Sequence, residues 1–144
     1  MPGKPDRHAL DANVILRYLL DDNETLSPLA AATMRAVEAG KLTAVVDPVT
    51  LSEVVFVLSS YYKLRRQAIA HGLLPLLKNP GVSVAGKGRY IRALELYAST
   101  VAHWGDACAC AAALEDCDGR LISFDRKLSD VEGVTRAESV GLGI

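Results

Sequence analysis

The sequence predicts an α/β fold in three layers, a central mainly parallel sheet flanked by helices, and three observations predict it. Short apolar runs of strand length recur at Ala9 and Leu10, at 42–46, at 82–84 and at 121–124. One or two segments of helical periodicity separate each run from the next. Parallel strands need such crossovers, whereas antiparallel neighbours need only tight turns. With 144 residues, 50% apolar and 23% charged, the composition is that of an ordinary globular domain. About 70% of the unfolded surface of such a chain is buried on folding, so neither disulfides nor a structural metal is needed. No internal repeat, low-complexity segment or linker divides the sequence, and one domain over 1–144 is the expectation.

The elements follow in order. Ala9 and Leu10 form a short strand, and Val14, Ile15, Tyr18 and Leu19 then recur at helical spacing, with Asp11 at the junction. Asp21, Asp22 and Asn23 stop this helix near Leu20; Ser27 and Pro28 open a second, closed by Gly40. The β-branched run at 42–46 is a strand. Asp47 and Pro48 begin a helix with Leu51, Val54, Val55, Leu58 and Tyr62 on its apolar side and Glu53 in its opening turns. Residues 65–77 support another helix, weakened by Pro75, before Asn79, Pro80 and Gly81 turn the chain into the strand at 82–84. Gly86 to Gly88 read as a flexible basic loop. Helical spacing returns at Ile91, Leu94, Leu96 and Tyr97, and again from Asp106 through Leu114. Gly119 then introduces the run at 121–124, which Asp125 ends. The tail, with Gly133, Gly141 and Gly143, supports a short edge strand near Val134.

Charge and cysteine content exclude several classes. With 16 basic and 17 acidic residues the net charge is −1, which argues against general attraction to nucleic acid but leaves room for a local basic rim. Cys108, Cys110 and Cys117 form an odd, unpaired set that fits a reducing cytosol. No apolar run reaches the roughly 20 residues that span a bilayer, and Asp11 and Arg17 break the N-terminal apolar stretch. A cytoplasmic protein without membrane contact is expected.

Four carboxylates occupy element junctions: Asp11 and Asp125 at strand ends, Glu53 and Asp106 in first helical turns. Each has a plain structural explanation. Asp11 and Asp106 suit helix N-caps, 50–53 (Thr-Leu-Ser-Glu) match a capping box, and Asp125 suits a turn. All four, however, are flanked by apolar sequence and are expected near one edge of the sheet, where open parallel sheets collect ligands. At a separation of ~4 Å and an effective dielectric of about 20, each pair repels by roughly 4 kcal/mol, so the group must take up protons or bind a cation. Mg²⁺ or Mn²⁺ prefers such oxygen ligands and can activate water against a phosphodiester. That chemistry is nucleic-acid hydrolysis.

At these residues the chain resembles the PIN-domain proteins, and most closely the VapC toxins of type II toxin–antitoxin pairs. Residues 10–22, beginning Leu10-Asp11-Ala12-Asn13, resemble the first acidic motif with its helix; 49–58, containing Glu53, resemble the second; Gly105-Asp106-Ala107 resembles the third; and 121–126, containing Asp125, resemble the fourth. The resemblance implies Asp11, Glu53, Asp106 and Asp125 as catalytic and metal-binding carboxylates for Mg²⁺ (or Mn²⁺), with Asn13 orienting Asp11. It implies a metal-dependent endoribonuclease acting on RNA, transfer or ribosomal RNA among the candidates, as a homodimer silenced by a VapB-like antitoxin. Leu16, Leu19 and Leu20 with Leu29 and Met34 are candidates for the groove that receives the antitoxin. Two positions depart from the family pattern. Ala12 replaces the usual Ser or Thr, and Lys127 stands where many members carry a further aspartate, which implies one firmly bound ion.

A catalytically weak PIN-like module that binds RNA or protein is the alternative. A receiver-like or dehalogenase-like phosphotransfer protein fits less well, lacking a second Asp two residues after Asp11. His8, His71 and His103 have no metal-ligand spacing, and no P-loop or Gly-x-Ser-x-Gly elbow occurs. Cys108 and Cys110 lie about 200° apart on a helix and cannot share an ion. Lys87, Arg89 and Arg92, with Lys63, Arg65, Arg66, Arg126 and Lys127, are candidates for a basic border. Trp104 is expected to pack inward.

Overall fold

Parallel pairing is the rule at every strand of the computed structural model, which describes residues 3–140; Gly141 and Gly143 lie outside them. The chain divides between Lys87 and Gly88 into two compact units, each carrying its own parallel sheet. The α/β class with parallel sheets is therefore the one the chain adopts.

The first unit holds β1 (Asp6–Ala9), α1 (Ala12–Leu20), α2 (Leu26–Glu38), β2 (Leu42–Val45), α3 (Pro48–Ser60), α4 (Arg66–Lys78) and β3 (Val82–Ser83), with sheet order β1-β2-β3. Helix pairs cross from each strand to the next, as parallel pairing demands. Ala9 stands opposite Val45, and the Leu10 N–H donates to the Val45 carbonyl at 2.9 Å. Asp11 and Asp47 thus leave adjacent strands at the carboxyl edge of this sheet.

Local chemistry explains the helix ends. Asp47 caps α3, accepting from the Val49 N–H at 2.8 Å, with Pro48 as first helical residue. At the end of α2, Gly40 adopts φ +74° and the Gly40 and Lys41 N–H groups donate to the carbonyls of Val37 and Ala36. This is the paired closure that a left-handed glycine permits. Asn23 opens α2 by accepting from the N–H groups of Thr25 and Leu26. The α4 helix continues through Pro75 to Lys78. Leu51, Val54 and Val55 of α3 and Leu73 and Leu77 of α4 are fully buried, each leucine contributing roughly 2 kcal/mol of burial.

The expected loop at Gly86 to Gly88 is instead a helix start. Gly86 takes φ +73° to turn the chain, and α5 (Lys87–Ser99) begins at the next residue. The Lys87 ammonium donates to the Asn79 and Val82 carbonyls at 2.9 and 2.6 Å, which fixes it to the backbone.

The second unit contains the rest of α5, then α6 (Trp104–Asp116), β4 (Arg120–Ile122), a 3₁₀ turn (Arg126–Asp130) and β5 (Thr135–Ala137), with β4 and β5 paired parallel. Trp104 is buried as expected and meets Tyr97 edge-on at 5.7 Å. Ala107, Cys110 and Ala111 line the buried side of α6, small side chains that let neighbouring backbone approach closely.

Candidate functional site

Asp11 holds the N-cap position of α1 in extended conformation, yet its side chain makes no capping hydrogen bond. The capping role expected of it is therefore unfilled, and its exposed carboxylate stays free at the end of β1. Asn13, two residues on, lines a cavity of about 180 Å³ between α1 and α2, together with Arg17, Leu26 and Leu29.

Glu53 also escapes its structural explanation. Asp47 and Pro48 start α3 three residues ahead of the supposed capping box, so Thr50 and Glu53 are interior helical positions. Glu53 lies exposed in the second turn, on a face shared with Val49, Phe56 and Ser60. Its helix packs against α1 within the first unit.

Asp106 is not an N-cap either, since His103 holds that position and Asp106 sits half-buried in the first turn of α6. Negative charge there is favoured by the unpaired N–H groups of the helix start. Asp125 is the one candidate whose structural explanation holds. It begins the 3₁₀ turn, accepting from the Lys127 N–H at 3.0 Å, while its own N–H donates to the Ser123 hydroxyl. Asp125 also stands three residues past β4 rather than at the strand's last residue.

Within the second unit, Asp106 and Asp125 come into one electrostatic neighbourhood. Burial pushes the Cys110 thiol up from its ordinary value, and the charges of Asp106 and Asp125 push it further. Cys110 stands one turn after Asp106 on α6, a spacing visible in the sequence but not used there. Within neither unit do three or more His, Cys, Asp or Glu side chains of the described residues form a ready metal cluster. Each unit carries two of the four candidates, Asp11 and Glu53 in the first and Asp106 and Asp125 in the second.

The basic border is thinner than expected. Arg89 pairs with Asp116 at 3.1 Å and Arg92 with Glu115 at 3.2 Å, while Lys87 is tied to backbone carbonyls. These three are committed within the fold. Lys63, Arg65, Arg126 and Lys127 are exposed and form no ion pair among the described residues. Of the groove candidates, Leu16 and Met34 are buried core and Leu19 and Leu20 are half-buried, because the contact between α1 and α2 takes up their faces. Leu29 is exposed, and Leu26 joins it at the cavity.

Compared with sequence models of known families, residues 9–134 match the PIN domain, a span that includes all four acidic motifs. The chain belongs to the PIN domain family, whose members are generally nucleases that use divalent metal ions. Comparison with curated proteins and with solved structures gives no significant match. Among the described residues no helix is long and apolar enough to cross a membrane.

Proposed function

We propose that the protein is a Mg²⁺- or Mn²⁺-dependent endoribonuclease of VapC type, acting on transfer or ribosomal RNA and held inactive by a VapB-like antitoxin. The observation that carries this reading is that Asp11 and Asp106, at element starts, and Glu53, in the second turn of α3, do not serve as caps. Carboxylates that make no cap are available as ligands. The donor set fits a hard divalent ion, being all oxygen and, at Asp11 and Glu53, exposed. Such an ion, when bound, supplies a water of lowered pKa and compensates charge on the phosphate.

The chain's own residues divide the remaining tasks. Asp11 and Asp106 would each offer carboxylate oxygens to the ion. Asp125 is exposed and held on one oxygen by the Lys127 N–H, which leaves the other without a hydrogen bond among the described residues. Glu53, on an exposed helix face, takes up a proton or positions water by hydrogen bonding. Asn13, in the first turn of α1, is assigned the orienting role beside Asp11. The homodimer and the antitoxin belong to the same proposal, and the cavity flanked by the exposed Leu26 and Leu29 supports an antitoxin docking there.

Purified protein should cut RNA with Mg²⁺ or Mn²⁺ and stop when a chelator is added. Asp11→Asn and Asp106→Asn should each lower the rate by roughly a hundredfold or more, the range for loss of a catalytic group. Cutting that persists in chelator, or in both variants, sinks the proposal. A second reading, the catalytically weak binding module, is favoured by the Asp125 oxygen committed to the Lys127 N–H and by Ala12, which is buried and carries no hydroxyl. Calorimetry separates the two: RNA binding without measurable ion binding selects the module.

A further inference from the structure

Arg136, on β5, is the least exposed arginine of the second unit, with 14% of its side chain accessible. Arg89, Arg92 and Arg120 are paired with acids, whereas the hydrogen bonds of Arg136 go to neutral groups. A terminal nitrogen donates to the Ser123 carbonyl at 2.6 Å, and Nε donates to the Ser129 hydroxyl at 2.8 Å. Glu138, at 3.7 Å, is too distant for a hydrogen bond. One guanidinium thus bridges the two ends of a short segment, 123–129.

Asp125 stands inside that segment. Its carboxylate accepts from the Lys127 N–H and its own N–H donates to the Ser123 hydroxyl, both at 3.0 Å. These contacts shape the turn without tying it to the sheet. Phe124, Asp125, Arg126 and Lys127 are all exposed, and Leu128 is the one buried side chain of 123–129. A five-residue 3₁₀ turn is weak by itself, because its hydrogen bonds are poorly aligned. The tie comes from β5. The Ser123 N–H donates to the Ala137 carbonyl at 2.9 Å, and Arg136 holds the Ser123 carbonyl and the far end at Ser129. Guanidinium donors form a rigid planar fork, so engaging two of them fixes the spacing of the groups they hold. A carboxylate that ligates a small divalent ion must be placed to within about half an ångström.

We propose that Arg136 is a positioning residue for Asp125: it pins Ser123 and Ser129 to β5 and so sets where the carboxylate offers its oxygens to a divalent ion. The proposal rests on the ion-dependent reading above and adds to it a residue outside the four acidic motifs. Arg136 also lies beyond residue 134, where the match to the family ends.

The test measures Mn²⁺ binding by calorimetry with no RNA present, and metal-free melting confirms that each variant is folded. Arg136→Met keeps the apolar stem and loses both hydrogen bonds. Removing a positive charge should by electrostatics alone strengthen binding of a cation, whereas loss of positioning weakens it. Arg136→Met should therefore bind Mn²⁺ at least about tenfold more weakly than the wild type, the range for loss of a group that orients a metal ligand. Ser129→Ala removes one of the two bonds at an exposed position and should weaken binding by a smaller factor. Added to Asp125→Asn, Arg136→Met should cost no further affinity, because it acts through that carboxylate. Folded Arg136→Met that binds Mn²⁺ as well as the wild type, or better, overturns the inference alone, provided the wild type binds the ion and cuts RNA. A further loss of the same size in the Asp125→Asn background also overturns it. If Arg136→Met does not fold, Ser129→Ala decides, and unchanged affinity there overturns the inference. A wild-type chain that neither binds Mn²⁺ nor cuts RNA removes the ribonuclease reading and this inference with it.

Discussion

Arg17 concentrates several interactions in one side chain. Its guanidinium donates to the Asp22 carboxylate at 2.6 Å and to the Tyr62 hydroxyl at 2.8 Å, joining α1 to the residues after α3. The side chain is 14% exposed, and its Nε is buried without a partner among the described residues. Removing the Tyr62 hydroxyl would leave a second donor of a charged group unsatisfied. Tyr62→Phe should therefore cost about 1–2 kcal/mol in chemical denaturation. Combined with Arg17→Met it should cost less than the two separate losses together, because both changes break the same contact. The thiols give a pH prediction. Burial raises Cys108 from about 9 to about 11, with Arg89 pulling weakly the other way, and Cys110 is also raised. Cys117 is exposed. At pH 8, iodoacetamide should label Cys117 and leave the other two untouched in the folded protein, as mass spectrometry would show. Folding favours the protonated Cys108 thiol, so its contribution is complete below the ordinary thiol value and is lost as pH rises from about 9 to about 11. Cys108→Ser, which does not titrate there, should flatten the fall in stability over that window.

At the scale of elements, the junction between α6 and β4 turns on one glycine. Gly119 adopts φ +81°, and a Cβ on it would run into the Gly133 carbonyl. Its own carbonyl accepts from the Thr135 N–H at 2.7 Å, which aligns β4 with β5. Gly119→Ala should cost at least about 2 kcal/mol, since strain and overlap act together. Gly105→Ala is the contrast. Gly105 lies in the first turn of α6 with open space around it, and alanine there should be neutral or stabilising by up to about 1 kcal/mol in the same denaturation assay. Both glycines precede or follow helical periodicity in the sequence, and only the coordinates distinguish them. Alternating strands and helices were legible because periodicity is local, and the start of α3 was legible in Asp47 and Pro48. The capping box at 50–53 was misread because that earlier start already satisfies the helix. The loop at Gly86 to Gly88 was misread because glycine frequency hides a Lys87 side chain held by two carbonyls. The four carboxylates could be read as junction residues. That Asp11, Glu53 and Asp106 do not cap could not, nor could the pairing of Arg89 and Arg92 with acids 27 and 23 residues away.

For the whole molecule, charge is nearly balanced, so any gain from a bound divalent ion must come from local repulsion that the fold maintains. Asp106 and Asp125 are like charges that both act on the Cys110 thiol, so neutralising one lowers the negative charge around that residue. Which one is changed decides the sign. Asp106→Asn would also remove favourable charge from the start of α6, an effect of about 0.3–1 kcal/mol in the opposite direction. Asp125→Asn avoids this, because asparagine can still accept from the Lys127 N–H and the five-residue 3₁₀ turn has little dipole to lose. Without metal, Asp125→Asn should therefore melt level with the wild type or slightly above it. With Mg²⁺ at a hundred times its dissociation constant, the wild type should gain about 2.7 kcal/mol and several degrees of melting temperature, while the variant gains far less. The order of the two proteins then reverses. A carboxylate that only caps a turn produces no such reversal, because its contribution is the same with and without the ion. Wild-type melting that ignores millimolar Mg²⁺ and Mn²⁺ would remove the ion from the proposed mechanism and leave binding as the activity of this fold.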